Sequence, residues 1–137
     1  MNLNDSPVSE FKSKSGLRRI AKAFLYSMDG IKSAWKNEHA FRQELFVVVP
    51  AIFIAFFLPV TALEKAALIA SSIFILIVEL MNSAIEAIVD RISLERHPLS
   101  KNAKDFGSAA VTLAISMSIL IWGVILYPHV SSHFDRF

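Results

Sequence analysis

Acidic and amide side chains interrupt one of the most apolar segments of the sequence. Five polar residues lie in or directly after the run from residue 66 to about 88: Glu79, Asn82, Ser83, Glu86 and Asp90. In a helix of about 100° per residue, the three carboxylates fall within roughly 20° of one line, and the other two side chains flank it. Carboxylates can bind a hard divalent cation or accept a proton as a general base. The segment therefore predicts a polar stripe with catalytic capacity.

The depth of this stripe in a membrane separates the roles of its two glutamates. A charged side chain deep in a bilayer costs at least roughly 2.5 kcal/mol, so we expect Glu79 and Glu86 to face the bundle interior, a partner or a water-filled site. Their backbones lie roughly 10 Å apart along a helix axis, which disfavours a shared metal ion. Counting about 20 residues from Ala66 places Glu86 at the membrane surface and Glu79 about 9 Å deeper. The alternative is an interhelical polar lock that only holds an assembly together.

Composition indicates that lipid surrounds most of the chain. The 137 residues are 54% hydrophobic and only 19% charged, which is unusual for a soluble domain. Three apolar runs approach the roughly 20 residues that cross a bilayer: about 45–63, 66–89 and 109–127. We therefore predict an all-α integral membrane protein with one domain over 16–130, a mobile polar tail over 1–15 and a short tail over 131–137. Cysteine is absent, which excludes thiol nucleophiles and zinc-thiolate sites.

The segment before the first span predicts an amphipathic helix over residues 17–36. Its apolar side chains recur at spacings of three and four: Leu17, Ile20, Phe24, Met28, Ile31 and Trp35. Basic residues take other positions, so we expect this helix to lie in the headgroup plane, with a break at Asp29–Gly30. An ordinary helix packed on other protein is the alternative interpretation.

The connections and the basic residues predict the topology. Glu64–Lys65 is expected to form a very short turn between the first two spans, and 90–108 is expected to be a polar loop. Eight Lys and Arg residues precede Leu45, one lies in the turn, four lie in the loop and one follows the last span. The positive-inside rule then places the N-terminus and the loop in the cytoplasm, where the two segments can meet and build a site.

Three sequence blocks carry a resemblance to a known family. They are NEHAFRQE at 37–44, ELMNSAIEAIVDR at 79–91 and AKDFGSAAV at 103–111. Their order, their spacing and the three-helix plan resemble the prokaryotic diacylglycerol kinases over about 16–130. The resemblance implies a homotrimer in the bacterial inner membrane that transfers a phosphoryl group from MgATP to diacylglycerol and makes phosphatidic acid. Diacylglycerol and ATP are thus the expected partners, and the sequence holds no nucleic-acid-binding motif.

The resemblance also implies roles for individual residues. Glu79 corresponds to the general base that takes the proton of the lipid hydroxyl, and Asn82 to a residue that orients the base or a phosphate. Glu38 and Glu86 correspond to the carboxylates that bind Mg²⁺. The implied nucleotide contacts are Arg19, Tyr26, Glu38, Glu86, Glu95, Arg96, His97, Lys104 and Asp105. The implied lipid contacts are Arg19, Ala23, Ser27, Trp35, Phe41, Arg42, Glu44, Glu79 and Ser108.

Several of these residues also have simpler interpretations. Lys104 suits a positive-inside anchor, and Trp35 and Phe41 suit aromatic anchors at the level of the lipid headgroups. Pro98 beside His97 departs from the family pattern in the segment that contacts the nucleotide. Neither a GxxxxGK[ST] phosphate loop nor a protein-kinase glycine-rich loop is present, and the chain has only four glycines.

Two other functions are open alternatives. An undecaprenol kinase would perform the same reaction on a polyprenyl alcohol, and such sequences form another branch of the family. FRQE at 41–44 and the basic surface helix favour diacylglycerol. A noncatalytic ion- or proton-coupled membrane protein would instead use Glu79, Asn82 and Glu86 to line a conduction path.

Overall fold

The protein is helical almost throughout the part of the chain that the structure describes. The computed structural model describes residues 16–92 and 97–134, apart from the side chains of Leu17 and 130–134. Its helices are α1 (Gly16–Asn37), α2 (His39–Phe57), α3 (Ala62–Ile92) and α4 (Pro98–Phe134). Among the described residues, three segments are long and apolar enough to cross a membrane: His39–Phe57, Ala62–Ile92 and Pro98–His129. The prediction of an all-α protein with three helices of this kind is confirmed.

The chain divides after Asn37 into two compact units, and α1 is the described helix of the first. Its apolar side chains Ile20, Phe24 and Trp35 are exposed. The helix runs through Asp29–Gly30 without interruption, so the predicted break is wrong. Gly30 does not adopt a positive φ, and a single glycine costs a helix only about 1 kcal/mol relative to alanine. The surrounding turns can therefore keep it helical.

Helices α2, α3 and α4 form the second unit, in which α3 contacts both of the others. The buried apolar cluster takes one residue from each helix: Val48, Ile75 and Ala114. Other buried positions hold small residues: Ala55, Ser71, Ser72 and Ser118. Small side chains let membrane helices approach closely, because packing and hydrogen bonds must replace the hydrophobic effect between them. Because small residues occupy these contacts, many large apolar side chains lie on the outside of the bundle.

Hydrogen bonds between serine and tryptophan side chains join α3 to α4. Ser118 Oγ donates to Ser71 Oγ at 3.4 Å, and Trp122 Nε1 donates to Ser72 Oγ at 3.3 Å. Ser72 in turn donates to the Leu68 carbonyl at 2.8 Å. Burial of a polar group in an apolar environment is costly unless the group is hydrogen-bonded. These serines satisfy that requirement inside the protein.

Residues 58–61 connect α2 to α3, so the predicted turn at Glu64–Lys65 is wrong. Thr61 Oγ1 accepts the Glu64 N–H at 3.3 Å, and the Glu64 carboxylate accepts the Thr61 N–H at 2.8 Å. This reciprocal pair of hydrogen bonds is a capping box, so α3 begins before Glu64 and Lys65. Lys65 Nζ donates to the Phe56 carbonyl at 2.8 Å and satisfies an unpaired group at the end of α2.

The predicted loop over 90–108 is also wrong for most of its length. Helix α3 extends to Ile92 and α4 begins at Pro98. Proline suits the first position of a helix, because its φ is preset and its missing N–H needs no partner there. His97 Nδ1 accepts the Leu99 N–H at 3.2 Å and caps this end of α4.

The helices do not coincide with the predicted spans over 45–63, 66–89 and 109–127. Helix α2 runs from His39 to Phe57 and contains Pro50, whereas Pro59 lies beyond its end. Helix α4 continues to Phe134, into the segment where we predicted a tail. Polar residues at helix ends continue the backbone hydrogen-bond pattern, which hydropathy alone does not register. The predicted tail over 1–15 lies outside the described residues.

Replacing Thr61 by alanine removes the hydroxyl that accepts the Glu64 N–H. We expect the free energy of unfolding to fall by about 1 kcal/mol, the usual effect of losing an N-cap. Chemical denaturation in detergent micelles, followed by circular dichroism, measures this change. Thr112→Ala is the matched control, because Thr112 Oγ1 donates to the Ser108 carbonyl on the exposed side of its own helix. Equal stability of the two variants would contradict the importance of the cap.

Candidate active site

Helix α3 carries the predicted polar stripe from the interior of the second unit toward its surface. Glu79 is 3% exposed and is the one buried charged residue among those that the structure describes. Asn82, Ser83 and Glu86 are half-buried, and Asp90 is exposed. Exposure therefore increases along the stripe toward the end of the helix. The arrangement agrees with a buried Glu79 and a more accessible Glu86.

Three other carboxylates interact electrostatically with Glu79. The charges of Glu86 and Glu38 act on Glu79, and Glu44 interacts with Glu79 in the same way. Glu38 directly precedes α2 and Glu44 lies near its start, whereas the other two lie in the second half of α3. Like charges at short range repel one another, and this repulsion favours binding of a cation or a proton.

Glu38 occupies the N-cap position of α2, with an extended backbone of φ −99° and ψ 118°. A side chain at this position commonly accepts a hydrogen bond from an N–H of the first turn. The Glu38 side chain makes no such bond, and it is half-buried. Its carboxylate oxygens are therefore not occupied by capping and can serve a cation.

Buried polar atoms without a hydrogen-bond partner surround the stripe. They are Glu44 Oε2, Asn82 Oδ1 and Ser83 Oγ. Native proteins pair almost all buried polar groups, because an unpaired group costs about 1–3 kcal/mol. Three such atoms around one buried glutamate indicate a site whose hydrogen bonds are completed by a ligand or by water.

Asn82 links the two glutamates of α3 to α4. Its Nδ2 donates to Glu86 Oε1 at 3.4 Å, and its side chain also interacts with the Glu79 carboxylate. Its Oδ1 lies against Gly107 on α4, so close that a Cβ atom there would be 2.1 Å away. Asn82 therefore lies between the carboxylates of α3 and the backbone of α4.

Helix α4 places a positively charged side chain, that of Lys104, at the exposed end of the stripe. Lys104 Nζ lies 2.6 Å from Asp90 Oδ1, and the charge of Glu86 also acts on Lys104. Lys101 forms an ion pair with Asp105 along the same helix. Both pairs are exposed to solvent, so screening by water and salt makes them weak. A phosphate group can therefore compete for either lysine.

Comparisons with known proteins assign the family. The family model of prokaryotic diacylglycerol kinase matches residues 25–126. The diacylglycerol kinase of Pseudomonas aeruginosa is 52% identical over 118 residues, which cover 86% of this chain and 96% of that protein. Its counterpart in Escherichia coli K12 is 50% identical over 115 residues, which cover 84% and 94%. The chain belongs to the prokaryotic diacylglycerol kinase family.

The match to the diacylglycerol kinase family covers the whole polar stripe of α3 and the basic residues at the start of α4. A further relative, the diacylglycerol kinase of Haemophilus influenzae, is 45% identical over 113 residues, which cover 82% of this chain and 96% of that protein. The resemblance inferred from the three sequence blocks is confirmed. The roles of single residues stay predictions.

The second unit of this diacylglycerol kinase family member brings together the predicted base and the predicted metal ligands. Glu79, Asn82 and Glu86 lie on α3, and the charge of Glu38 reaches Glu79. The predicted nucleotide contacts of α4 are spread along its exposed first turns: Lys104 is half-buried, Asp105 is exposed, and His97 precedes the helix. Two further predicted contacts, Glu95 and Arg96, lie outside the described residues.

The predicted lipid contacts of the second unit differ in exposure. Phe41 is 3% exposed, which places its ring in the protein interior and argues against a simple headgroup anchor. Arg42 and Glu44 are half-buried on the same helix. Ser108 is exposed within α4 and does not lie in a loop, as the predicted loop over 90–108 required. The cause is the early start of α4 at Pro98.

The predicted contacts in the first unit all lie on α1. Arg19, Ala23, Tyr26 and Ser27 are exposed and fall within roughly 100° of one another around the helix. Ser27 Oγ donates to the Ala23 carbonyl at 3.0 Å. Trp35 is also exposed, but it projects from another side of the helix. One face of α1 thus groups four of the five predicted residues.

Two contacts of the site are absent from the sequence-based predictions. The ion pair of Asp90 with Lys104 joins residues on different helices, and no local spacing indicates such a pair. The contact between Gly107 and Asn82 had a signal in AKDFGSAAV, because glycine among small residues marks close approach of helices in membranes. This glycine falls within the predicted loop over 90–108.

Replacing Glu44 by glutamine tests whether its carboxylate serves stability or function. The change removes a carboxylate whose charge repels Glu79 and whose Oε2 atom is buried without a partner. We expect the thermal unfolding midpoint in micelles to rise by about 2–5 °C. Asp29→Asn on the exposed surface of α1 is the control, and it should leave the midpoint unchanged. A lower midpoint for Glu44→Gln would show that the carboxylate stabilises the fold.

Proposed function

We propose that the protein transfers the γ-phosphoryl group of ATP to the free hydroxyl of diacylglycerol and produces phosphatidic acid and ADP. The observation that carries this proposal is Glu79, a buried carboxylate with three further carboxylates around it in an apolar bundle. Similarity to proteins named diacylglycerol kinase supports the choice of substrate. A lipid substrate also suits a site that lies within helices able to cross a membrane.

Glu79 is the proposed general base. Its carboxylate accepts the proton of the lipid hydroxyl while that oxygen forms a bond to the γ-phosphorus. The bond from the γ-phosphorus to the bridging oxygen breaks, and its electron pair leaves with ADP. The proton then passes from Glu79 to water. Burial supports this role, because it keeps bulk water away from the phosphoryl group.

Glu38 and Glu86 are the proposed protein ligands of Mg²⁺. Among the described residues, no group of three or more His, Asp or Glu side chains is arranged to hold a metal ion alone. Mg²⁺ usually binds through one or two carboxylates together with substrate phosphates and water, and these two glutamates fit that pattern. When bound, the ion neutralises charge on the phosphate oxygens. Glu38 contributes a carboxylate not used in capping, and Asn82 orients that of Glu86.

The exposed end of the stripe is the proposed nucleotide site. Lys104 acts as a point charge on phosphate, and Asp105 lies beside it on the same helix. The weak ion pair between Lys104 and Asp90 supports this role, because an exposed pair exchanges readily for a phosphate. The family resemblance adds Arg19, Tyr26, Glu95, Arg96 and His97 to the nucleotide contacts.

The lipid headgroup is proposed to reach Glu79 from the membrane side. The gradient of exposure along the stripe supports two approaches, with the lipid near the buried Glu79 and the nucleotide near Glu86. Glu44 is proposed to bind the headgroup, because its unpartnered Oε2 lies near the base. The remaining proposed lipid contacts rest on the resemblance: Arg19, Ala23, Ser27, Trp35, Phe41, Arg42 and Ser108.

The proposed location is the bacterial inner membrane, with the N-terminus and the connection from α3 to α4 on the cytoplasmic side. Eight Lys and Arg residues before Leu45 support this orientation. We also propose a homotrimer in which two subunits complete each site. Exposed aromatic side chains on α2 and α3, such as Phe46, Phe53 and Phe74, leave wide apolar surfaces for neighbouring helices and lipid.

Replacing Glu79 by glutamine should abolish most turnover while the protein still assembles. We expect kcat to fall by about 10²–10⁴-fold, the usual contribution of a general base. The assay follows transfer of labelled phosphate from MgATP to diacylglycerol in mixed micelles, with size exclusion as the assembly measurement. Glu64→Gln is the matched control at the other end of α3, because glutamine also forms a capping box. It should keep full activity.

Undiminished lipid phosphorylation by Glu79→Gln would overturn the assignment of the base. The same assay with undecaprenol as acceptor separates the two lipid kinases, since a higher kcat/KM for the polyprenol would contradict the proposed substrate. Proton flux through vesicles, with no phosphoryl transfer to either lipid, would favour the noncatalytic alternative.

The pair of Asp90 and Lys104 predicts opposite effects on ATP affinity. Lys104→Gln removes a positive charge from the phosphate site, so the KM for ATP should rise with little change in kcat. Asp90→Asn releases Lys104 from its competing partner, so the KM for ATP should fall by about two- to fivefold, in line with a weak exposed pair. Steady-state kinetics at saturating diacylglycerol measure both. A higher KM in both variants would show that Asp90 positions Lys104 instead of competing for it.

A further inference from the structure

Gly107 is buried at the contact between α4 and α3. A Cβ atom at this position would lie 2.1 Å from Asn82 Oδ1, 3.2 Å from Asn82 Cγ and 3.7 Å from Asn82 Cα. Non-bonded carbon atoms pack at about 3.5–4.0 Å. Any residue other than glycine would therefore force the Asn82 amide to move by about 1 Å or more.

The orientation of the Asn82 amide follows from its neighbours. Its Nδ2 donates to Glu86 Oε1 at 3.4 Å, and a carboxylate accepts hydrogen bonds but does not donate them. The amide must therefore turn its NH₂ group toward Glu86 and its Oδ1 toward α4. There the Oδ1 atom is buried and has no hydrogen-bond partner. Only the small volume of Gly107 makes room for it.

The backbone of Gly107 does not explain why glycine occurs here. No glycine in the described residues has a positive φ, so the backbone conformation is open to any residue. Gly30 and Gly123 also lie in helices, and a Cβ at either position would meet no atom within 4 Å outside the neighbouring backbone of its own helix. Alanine is also the better helix former. The requirement at 107 is thus space for one particular side chain of the predicted catalytic stripe.

We propose that Gly107 is a positioning residue for the phosphoryl-transfer site. Its missing side chain lets the Asn82 amide hold Glu86 in the orientation that binds MgATP. The proposal rests on the proposed function, in which Glu86 is a ligand of the metal. Gly107 itself touches neither substrate and acts through Asn82.

Gly107→Ala should weaken the binding of MgATP and slow turnover without loss of assembly. A displacement of about 1 Å in a catalytic site can reduce activity about 10²-fold, so we expect kcat/KM for MgATP to fall about 10- to 100-fold. The Mg²⁺ concentration for half-maximal rate should rise in parallel. Gly123→Ala on the same helix is the matched control and should match the wild type in both measurements, because its Cβ enters open space.

A double-mutant cycle with Asn82→Ala separates positioning from general damage to the fold. Without the Asn82 amide, Asn82 Cα lies 3.7 Å from a Cβ at 107, which is an ordinary van der Waals contact. We therefore expect Gly107→Ala to have no further effect in the Asn82→Ala background. Mg²⁺-dependent binding of a non-hydrolysable ATP analogue, measured by calorimetry, gives this comparison even for variants without turnover.

The outcomes distinguish the inference from the proposed function. Wild-type affinity and turnover in Gly107→Ala, or equal losses from this change in both backgrounds, would overturn the positioning role alone. An inactive wild type with diacylglycerol and MgATP would overturn the proposed function. A loss confined to the background that retains Asn82 would support the inference.

Discussion

A carboxylate held inside an apolar helix bundle is the constraint on which the rest of the structure depends. Glu79 is nearly inaccessible to solvent, and three further glutamates interact with it electrostatically. An ionised group in such a place is tolerated when partners, water or a ligand compensate its lost hydration. Helix α3 must therefore open toward solvent at one end while it stays packed at the other. The increase in exposure from Glu79 to Asp90 is the compromise between these two requirements.

Close approach of the helices makes that compromise possible. Serine and alanine side chains lie at the contacts of α3 and α4, and at the stripe Gly107 leaves room for the side chain of Asn82. Close packing fixes the direction of Asn82, which in turn contacts Glu86. The orientation of the polar side chains thus depends on the size of the residues opposite them.

The sequence was sufficient for features governed by local geometry. The line of Glu79, Glu86 and Asp90 follows from the helical repeat alone, and α3 is continuous over all three. Helix ends were less predictable, because the capping box of Thr61 and the proline at 98 act through hydrogen bonds and backbone angles that hydropathy ignores. Contacts between helices were the least predictable, since they depend on how α3 and α4 are rotated and offset relative to each other.

Polar side chains are hydrogen-bonded in the first half of α3, whereas some are buried without partners in the second half. This difference separates side chains that stabilise the fold from side chains available for function. In the first half, Ser71 and Ser72 bond to Leu68 and to side chains of α4, so their hydroxyls are satisfied within the protein. In the second half, Ser83 Oγ and Asn82 Oδ1 are buried without partners. A helix built only for packing has no reason to leave such groups unpaired, since each costs free energy. Paired groups bind α3 to its neighbour, whereas unpaired groups lie where reactants are expected to arrive.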